Sequence, residues 1–175
     1  SFEIDYTGWT LTNLTFVSDD TNYPLEGYPS THSGKFTATD TTWELANASK
    51  IPVDPGTYFN FSMYSYSEDI SMMDMFIDVY DSSDNLIATF QDSHMMSDMW
   101  MRSYLRGLMD ITTAPSYAYL RFSGTATVGD TFSIDMVQAQ DTYSPTDYFD
   151  GSMPASVGVV WEGTAHNSRS LYYPG

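Results

Sequence analysis

The chain has 175 residues, 23 acidic against 6 basic side chains, a formal net charge of −17 and no cysteine. That length fits one domain with a real core, and the missing cysteines exclude disulfides and thiolate metal sites. The charge repels phosphate backbones and anionic headgroups, which argues against nucleic-acid partners and electrostatic membrane docking.

With 42% hydrophobic and 16% aromatic residues, the chain has the means to fold despite its acidity. No apolar run approaches the ~18 residues of a membrane span, so no membrane insertion is expected. No basic-then-apolar leader opens the chain, and Ser1 in place of Met suggests a processed or trimmed start.

In chain order, Phe2-Glu3-Ile4 reads as a short strand, and Gly8 to Leu11 and Thr15 to Val17 as the next pieces. Residues 18 to 34 are rich in Asp, Asn, Pro, Gly and Ser and read as a long loop. Phe36 to Trp43 is Thr-rich and alternating, an expected exposed strand. Pro55-Gly56 is a turn pair, with φ preset at Pro and free at Gly. It launches Thr57 to Tyr66, the clearest strand. Phe59, Phe61 and Met63 share one face; Tyr58, Asn60, Ser62, Tyr64 and Tyr66 share the other.

Met75 to Asp81 sets Met75, Ile77 and Val79 against Phe76, Asp78 and Tyr80. Residues 82 to 85 turn it, and Leu86 to Phe90 returns as a hairpin. Residues 91 to 98 read as a polar loop, Met99 to Leu105 and Tyr117 to Ala126 as strands. Gly129-Asp130 then turns into Phe132 to Gln140, with Phe132, Ile134 and Met136 on the dry face. Beyond, Asp150-Gly151 reads as a turn, Val157 to Trp161 as a clasping strand, and the end from Thr164 as a polar lead-out.

About ten short strands and no helix predict an all-β, antiparallel two-sheet β-sandwich. One domain over residues 1–140, with residues 141–175 as a C-terminal extension, is the expected organisation.

Sugars are held by flat aromatic faces with a few polar tips. Tyr64, Tyr66, Tyr80, Trp100, Arg102 and Tyr104 fall on the non-core side of their strands and would tile one glycan-binding face if those strands are neighbours. Against this, aromatics dominate any β core; Trp9 and Trp43 read as core plugs, and burial is the default for Trp100 as well. The eleven methionines suit an adaptable protein contact, with ordinary core filling the default. His32, His94 and His166 stand alone among turn residues and read as solvated. No G-x-S-x-G or H-E-x-x-H motif is present, so the chain is read as not an enzyme.

Scattered features resemble a carbohydrate-binding jelly roll of the kind attached to glycanases. They are Ser1-Phe2-Glu3 with Gly8-Trp9, Val53 to Tyr58, Val79-Tyr80-Asp81 and Ile134 to Val137. The resemblance covers residues 1 to about 140 and implies a two-sheet jelly roll, carbohydrate-binding-module-like. It also implies a structural calcium ion (Ca2+) between the first and last strands, with Glu3 and Asp135 in the matching positions. Ca2+ takes six to eight oxygens, so two carboxylates would need backbone carbonyls as well.

The C-terminal stretch carries a second resemblance. Tyr148-Phe149-Asp150-Gly151, a spacer, Trp161-Glu162-Gly163-Thr164 and a Ser-rich end resemble the finish of domains in minor tail proteins of tailed phages, whose hosts are often actinobacteria. This implies a structural or adhesive domain at the tail tip, in the virion, packed with other tail proteins as a homo-oligomer and meeting host cell-surface glycan. The alternative is a carbohydrate-binding module of a secreted glycan-degrading enzyme, which would be extracellular.

Overall fold

The structure is a computed structural model that describes residues 8–24, 32–109, 114–140 and 143, with 159–161 and 170–172 as backbone alone. The strands are β1 (Trp9–Thr12), β2 (Leu14–Asp19), β3 (Ser33–Ala38), β4 (Thr42–Asn47), β5 (Ile51–Pro52), β6 (Tyr58–Tyr66) and β7 (Met72–Tyr80). They continue with β8 (Leu86–Met95), β9 (Met101–Leu108), β10 (Tyr117–Thr125), β11 (Thr131–Gln140), β12 (Val159–Trp161) and β13 (Ser170–Tyr172). No helix occurs among the described residues.

Two antiparallel sheets hold the core between them. One runs β1-β4-β10-β7-β8, with β5 added to β10; the other runs β2-β3-β11-β6-β9. The period-two pattern drives this. Phe59, Phe61, Met63, Phe132 and Ile134 are buried between the sheets, opposite Met75, Ile77, Val79 and Phe122, whereas Met136, expected beside them, is buried at a bulge of β11 outside that cluster. Ring pairs tie the layers: Trp43 stacks on Phe132 at 4.3 Å and Phe61 packs on Phe122 at 4.9 Å.

The turns are local chemistry. Gly56 follows Pro55 with φ 78°, a conformation that costs a glycine nothing. In the β7–β8 hairpin, the Asp81 carboxylate accepts from the Ser83 and Asn85 amides at 2.8 and 2.9 Å. The Asn85 side chain and amide bonds hold its pKa below the ordinary carboxylate value.

Several expectations need correction. The stretch 36–43 is not one exposed strand. It is the end of β3, a turn and the start of β4, and Phe36 and Trp43 are both buried. The polarity of its threonines reflects the solvent side, not the whole segment. Residues 91–95 are not a loop, because β8 runs on to Met95 along β7 and presents its polar side chains at a sheet edge. Ser170–Tyr172 is not lead-out; it pairs with β12 as β13. The methionines divide: Met63, Met73, Met75, Met96 and Met109 fill the core and Met136 is buried outside it, while Met72, Met95, Met99 and Met101 are exposed. Trp9 is only half-buried, stacked on Phe122 at 5.8 Å. The strand expected at residues 2–4 and the Asp150-Gly151 turn lie outside the described residues.

Candidate functional site

The outer face of the five-stranded sheet gathers most of the residues singled out above. β6 and β9 are hydrogen-bonded neighbours, with Tyr64 opposite Arg102 and Ser62 opposite Tyr104. Tyr66 ends β6, and its ring lies 5.8 Å from that of Trp100, which leads into β9. Tyr64, Tyr66, Trp100, Arg102 and Tyr104 therefore share one surface. Tyr80 does not join them. Its strand, β7, belongs to the other sheet, where Tyr80 stacks parallel to Tyr117 at 5.3 Å and meets Tyr119 edge-on.

Trp100 is half-buried rather than a core residue. Its Nε1 donates to Asn22 Oδ1 at 2.8 Å, so the 20–24 segment after β2 forms one wall of the site. A cavity of about 470 Å³ lies between them, lined by Asp20, Thr21, Asn22, Tyr23, Tyr64 and Trp100 among others. The loop is fixed at its start, where the Thr21 amide and hydroxyl both donate to Asp19 Oδ1 at 2.9 and 2.6 Å. Burial pushes the Asp19 pKa up, but those bonds, with Lys35 nearby, hold it below the ordinary value. Tyr66 donates its hydroxyl to Glu68 at 2.5 Å, and this bond, with partial desolvation, raises the phenol pKa.

Deeper in the same face lies a polar row. Arg102 Nη2 donates to Ser62 Oγ at 3.1 Å and to Gln138 Oε1 at 3.2 Å, with its guanidinium 5.9 Å from the Tyr64 ring centre. Asn60 is 1% exposed, and neither its amide nitrogen nor its oxygen has a partner; Gln138 Nε2 also has none. Buried amides without partners are rare enough to need a reason.

Asn60 and Ser62 share the alternation phase of Tyr64, so the signal for them was present in the sequence. Gln138 was hidden. Strict alternation puts it on the dry face with Ile134 and Met136, but a bulge after Asp135, with Met136 at φ 51°, shifts the phase and pairs Gln138 with Ser62.

At the far end of the face, Arg106 donates to the Tyr143 carbonyl at 2.8 Å and lies 3.9 Å from the Tyr143 ring. Tyr58 meets the same ring edge-on at 4.9 Å, so the chain past β11 touches this face at Tyr143.

Of the calcium ligands implied by resemblance, Glu3 lies outside the described residues, and Asp135 is buried in β11 opposite Tyr64. Among the described residues no group of three or more His, Asp or Glu is placed to hold a metal ion. His94 is not a solvated loop residue. It sits in β8 with Nε2 buried and without a partner. Burial lowers its pKa, against the opposing pull of Asp92 and Asp74. His166 lies outside the described residues.

Aromatic rings beside amides and a guanidinium are the chemistry of saccharide recognition: rings cover the sugar's C–H face and polar groups take its hydroxyls. Known structures agree on the architecture. The chain is similar to the CBM22-1 xylan-binding domain from Paenibacillus barcinonensis Xyn10C, with TM-score 0.56 and 13% identity over 80% of this chain and 90% of that one. The fold is the carbohydrate-binding-module jelly roll. TmCBM61 in complex with beta-1,4-galactotriose shares it, at TM-score 0.53 and 12% identity over 78% of this chain and 90% of that one. So does the enzymatically active domain of tailspike protein 4 of bacteriophage CBA120, at TM-score 0.64 and 17% identity. That match covers 79% of this chain but only 20% of the tailspike chain. No family model matches the sequence, and no curated protein does.

Proposed function

We propose that this jelly roll is a glycan-binding domain of a phage minor tail protein, acting at the tail tip on host cell-surface glycan and doing no catalysis of its own. The observation that carries the binding role is the cavity between Trp100 and the 20–24 segment, with aromatic walls and Asp20, Thr21 and Asn22 as polar edges. The tail location is supported by the C-terminal Phe-Asp-Gly and Trp-x-Gly-Thr pattern and by the likeness to a tailspike domain. In the virion the domain would pack with other tail proteins as a homo-oligomer, since tail assemblies are built on rotational symmetry. A structural Ca2+ shared by Glu3 and Asp135 is part of the same proposal, and loss of melting temperature on chelation is its test.

One observation favours a second reading. The xylan-binding domain matches this chain over 90% of its own length, as a free-standing module would. The chain would then be a carbohydrate-binding module of a secreted enzyme.

The binding role is tested on a glycan array and on intact host cells with wild type, Tyr66→Ala and Trp100→Ala. Both variants are expected to lose binding while remaining folded; full retention by both would remove this face as the site. Immuno-electron microscopy of virions separates the two settings, because label at the tail tip supports the phage reading and its absence there favours the enzyme module.

A further inference from the structure

Met99 lines the cavity of about 470 Å³ together with Tyr23, Tyr64 and its own neighbour Trp100. It is 66% exposed, so its thioether is open to solvent as well as to the site. Its backbone is held from Ser97. The Met99 amide donates to Ser97 Oγ at 3.3 Å, and that hydroxyl is 3.2 Å from the Met99 carbonyl and 3.3 Å from Met101 Sδ. A thioether beside an indole and a phenol adds soft, polarizable apolar surface to a wall made for the C–H face of a sugar.

The other methionines make this position distinct. A dissolved oxidant attacks thioethers that water reaches. Met63, Met73, Met75 and Met109 are at most 1% exposed, so the core is shielded. Met72, Met95 and Met101 are exposed as Met99 is, but they do not line this cavity. Met72 and Met95 face each other across β7 and β8, in the other sheet. Oxidation of the exposed set therefore spares the packing between the sheets and alters the cavity wall at Met99.

We propose that Met99 is a redox-sensitive contact of the cavity: its oxidation by a peroxide turns sugar binding off, and reduction restores it. This rests on the glycan reading of the Trp100 cavity. The sulfur lone pair attacks one peroxide oxygen, the O–O bond breaks and an S–O bond forms. The second oxygen takes up the remaining proton and leaves as water. Sulfur loses two electrons and the peroxide gains them. The sulfoxide is polar and chiral, so the wall gains a strong acceptor where the sugar presents C–H groups.

The full chain is treated with hydrogen peroxide, its sulfoxides are mapped by mass spectrometry, and binding is read on a glycan array before and after. Oxidation at Met99 is expected to weaken binding about tenfold with the melting temperature unchanged. Methionine sulfoxide reductases, one for each epimer, should restore it. Met99→Gln, polar at the same place, should show the loss without peroxide. Met99→Leu is compared only with itself, and its treated and untreated affinities should be equal. A variant with Met72, Met95 and Met101 all changed to Leu should stay as sensitive as wild type. Binding that survives full oxidation of Met99, or that falls equally in treated Met99→Leu, overturns the proposal and leaves the glycan site standing. Untreated wild type that binds no glycan on the array or on host cells overturns the glycan reading, and this one with it.

Discussion

The Trp100 indole donates to Asn22 Oδ1 at 2.8 Å, joining residues 78 positions apart. That bond holds the ring at the cavity wall instead of letting it fold into the core. Asn22→Ala should free it. The cost to stability is expected to be small, about 1 kcal/mol for one partly exposed hydrogen bond. The cost to glycan affinity should be larger, about tenfold, because the ring is no longer preorganised. Isothermal titration beside thermal melts checks both. An Asn22→Ala protein that binds like wild type would show that the ring's position does not depend on the loop.

Close packing between the sheet edges gives a second prediction. Gly107 on β9 meets the Phe90 ring of β8: a Cβ on Gly107 would lie 2.7 Å from Phe90 Cγ. The clash reaches the root of the ring, which cannot swing clear without a rotamer change. Gly107→Ala should therefore destabilise by about 1–3 kcal/mol, the usual cost of overpacking. Phe90→Ala should destabilise too, by loss of apolar contact. The double variant should be less damaged than the sum of the two, since the small residue relieves the clash. Strict additivity in urea melts would refute the contact.

Much of this fold was legible in the sequence because alternation is a direct physical signal. Phe59, Phe61 and Met63 could only share a side, and the side that holds them had to be dry. The same phase correctly set Tyr64 and Tyr66 outside, and the neighbouring strand brought Arg102 and Tyr104 to them. Three things were not legible. Sheet membership is non-local, so nothing in Tyr80 said that β7 lies across the sandwich from β6. A bulge inverts the phase without a composition signal, so alternation carried on past Ile134 points Gln138 to the wrong side. Loop residues carry no period at all, so Asn22 and Tyr23 could not be matched with Trp100.

His94 predicts a pH dependence. Burial lowers its folded-state pKa, while in the unfolded chain it takes the ordinary value of about 6.5. Between those two values the unfolded chain binds the proton more readily. Stability should then fall as pH drops through about 6.5 and level off once the folded-state imidazole is also protonated. His94→Leu should flatten this part of the profile. The lowered carboxylates Asp19, Asp81 and Asp84 act further down: their contribution is present above the ordinary value of 3.8 and is lost as pH falls through their folded-state values. Denaturant melts from neutral to acid pH should thus show two separate losses in wild type and only the acid one in the variant.

Arg102 tests whether the polar row serves binding or only the fold. Its guanidinium is the shared donor to Ser62 and Gln138, in a face where the Asn60 amide already lacks a partner. Arg102→Ala leaves two buried acceptors without that donor, and a loss of about 1–3 kcal/mol is expected. Arg102→Lys keeps the charge, but a single ammonium does not reproduce the planar fork, so it should fall between. Tyr104 is the control. It is 51% exposed on the same strand, and Tyr104→Ala should stay within about 0.5 kcal/mol of wild type. Glycan affinity is then measured well below the melting point of each variant. If the sugar reaches the row, Arg102→Ala should lose binding at least tenfold even where it is fully folded, and Arg102→Lys should recover part of it. If all three variants bind as wild type once folded, the row is scaffolding and recognition is confined to the cavity between Trp100 and Asn22.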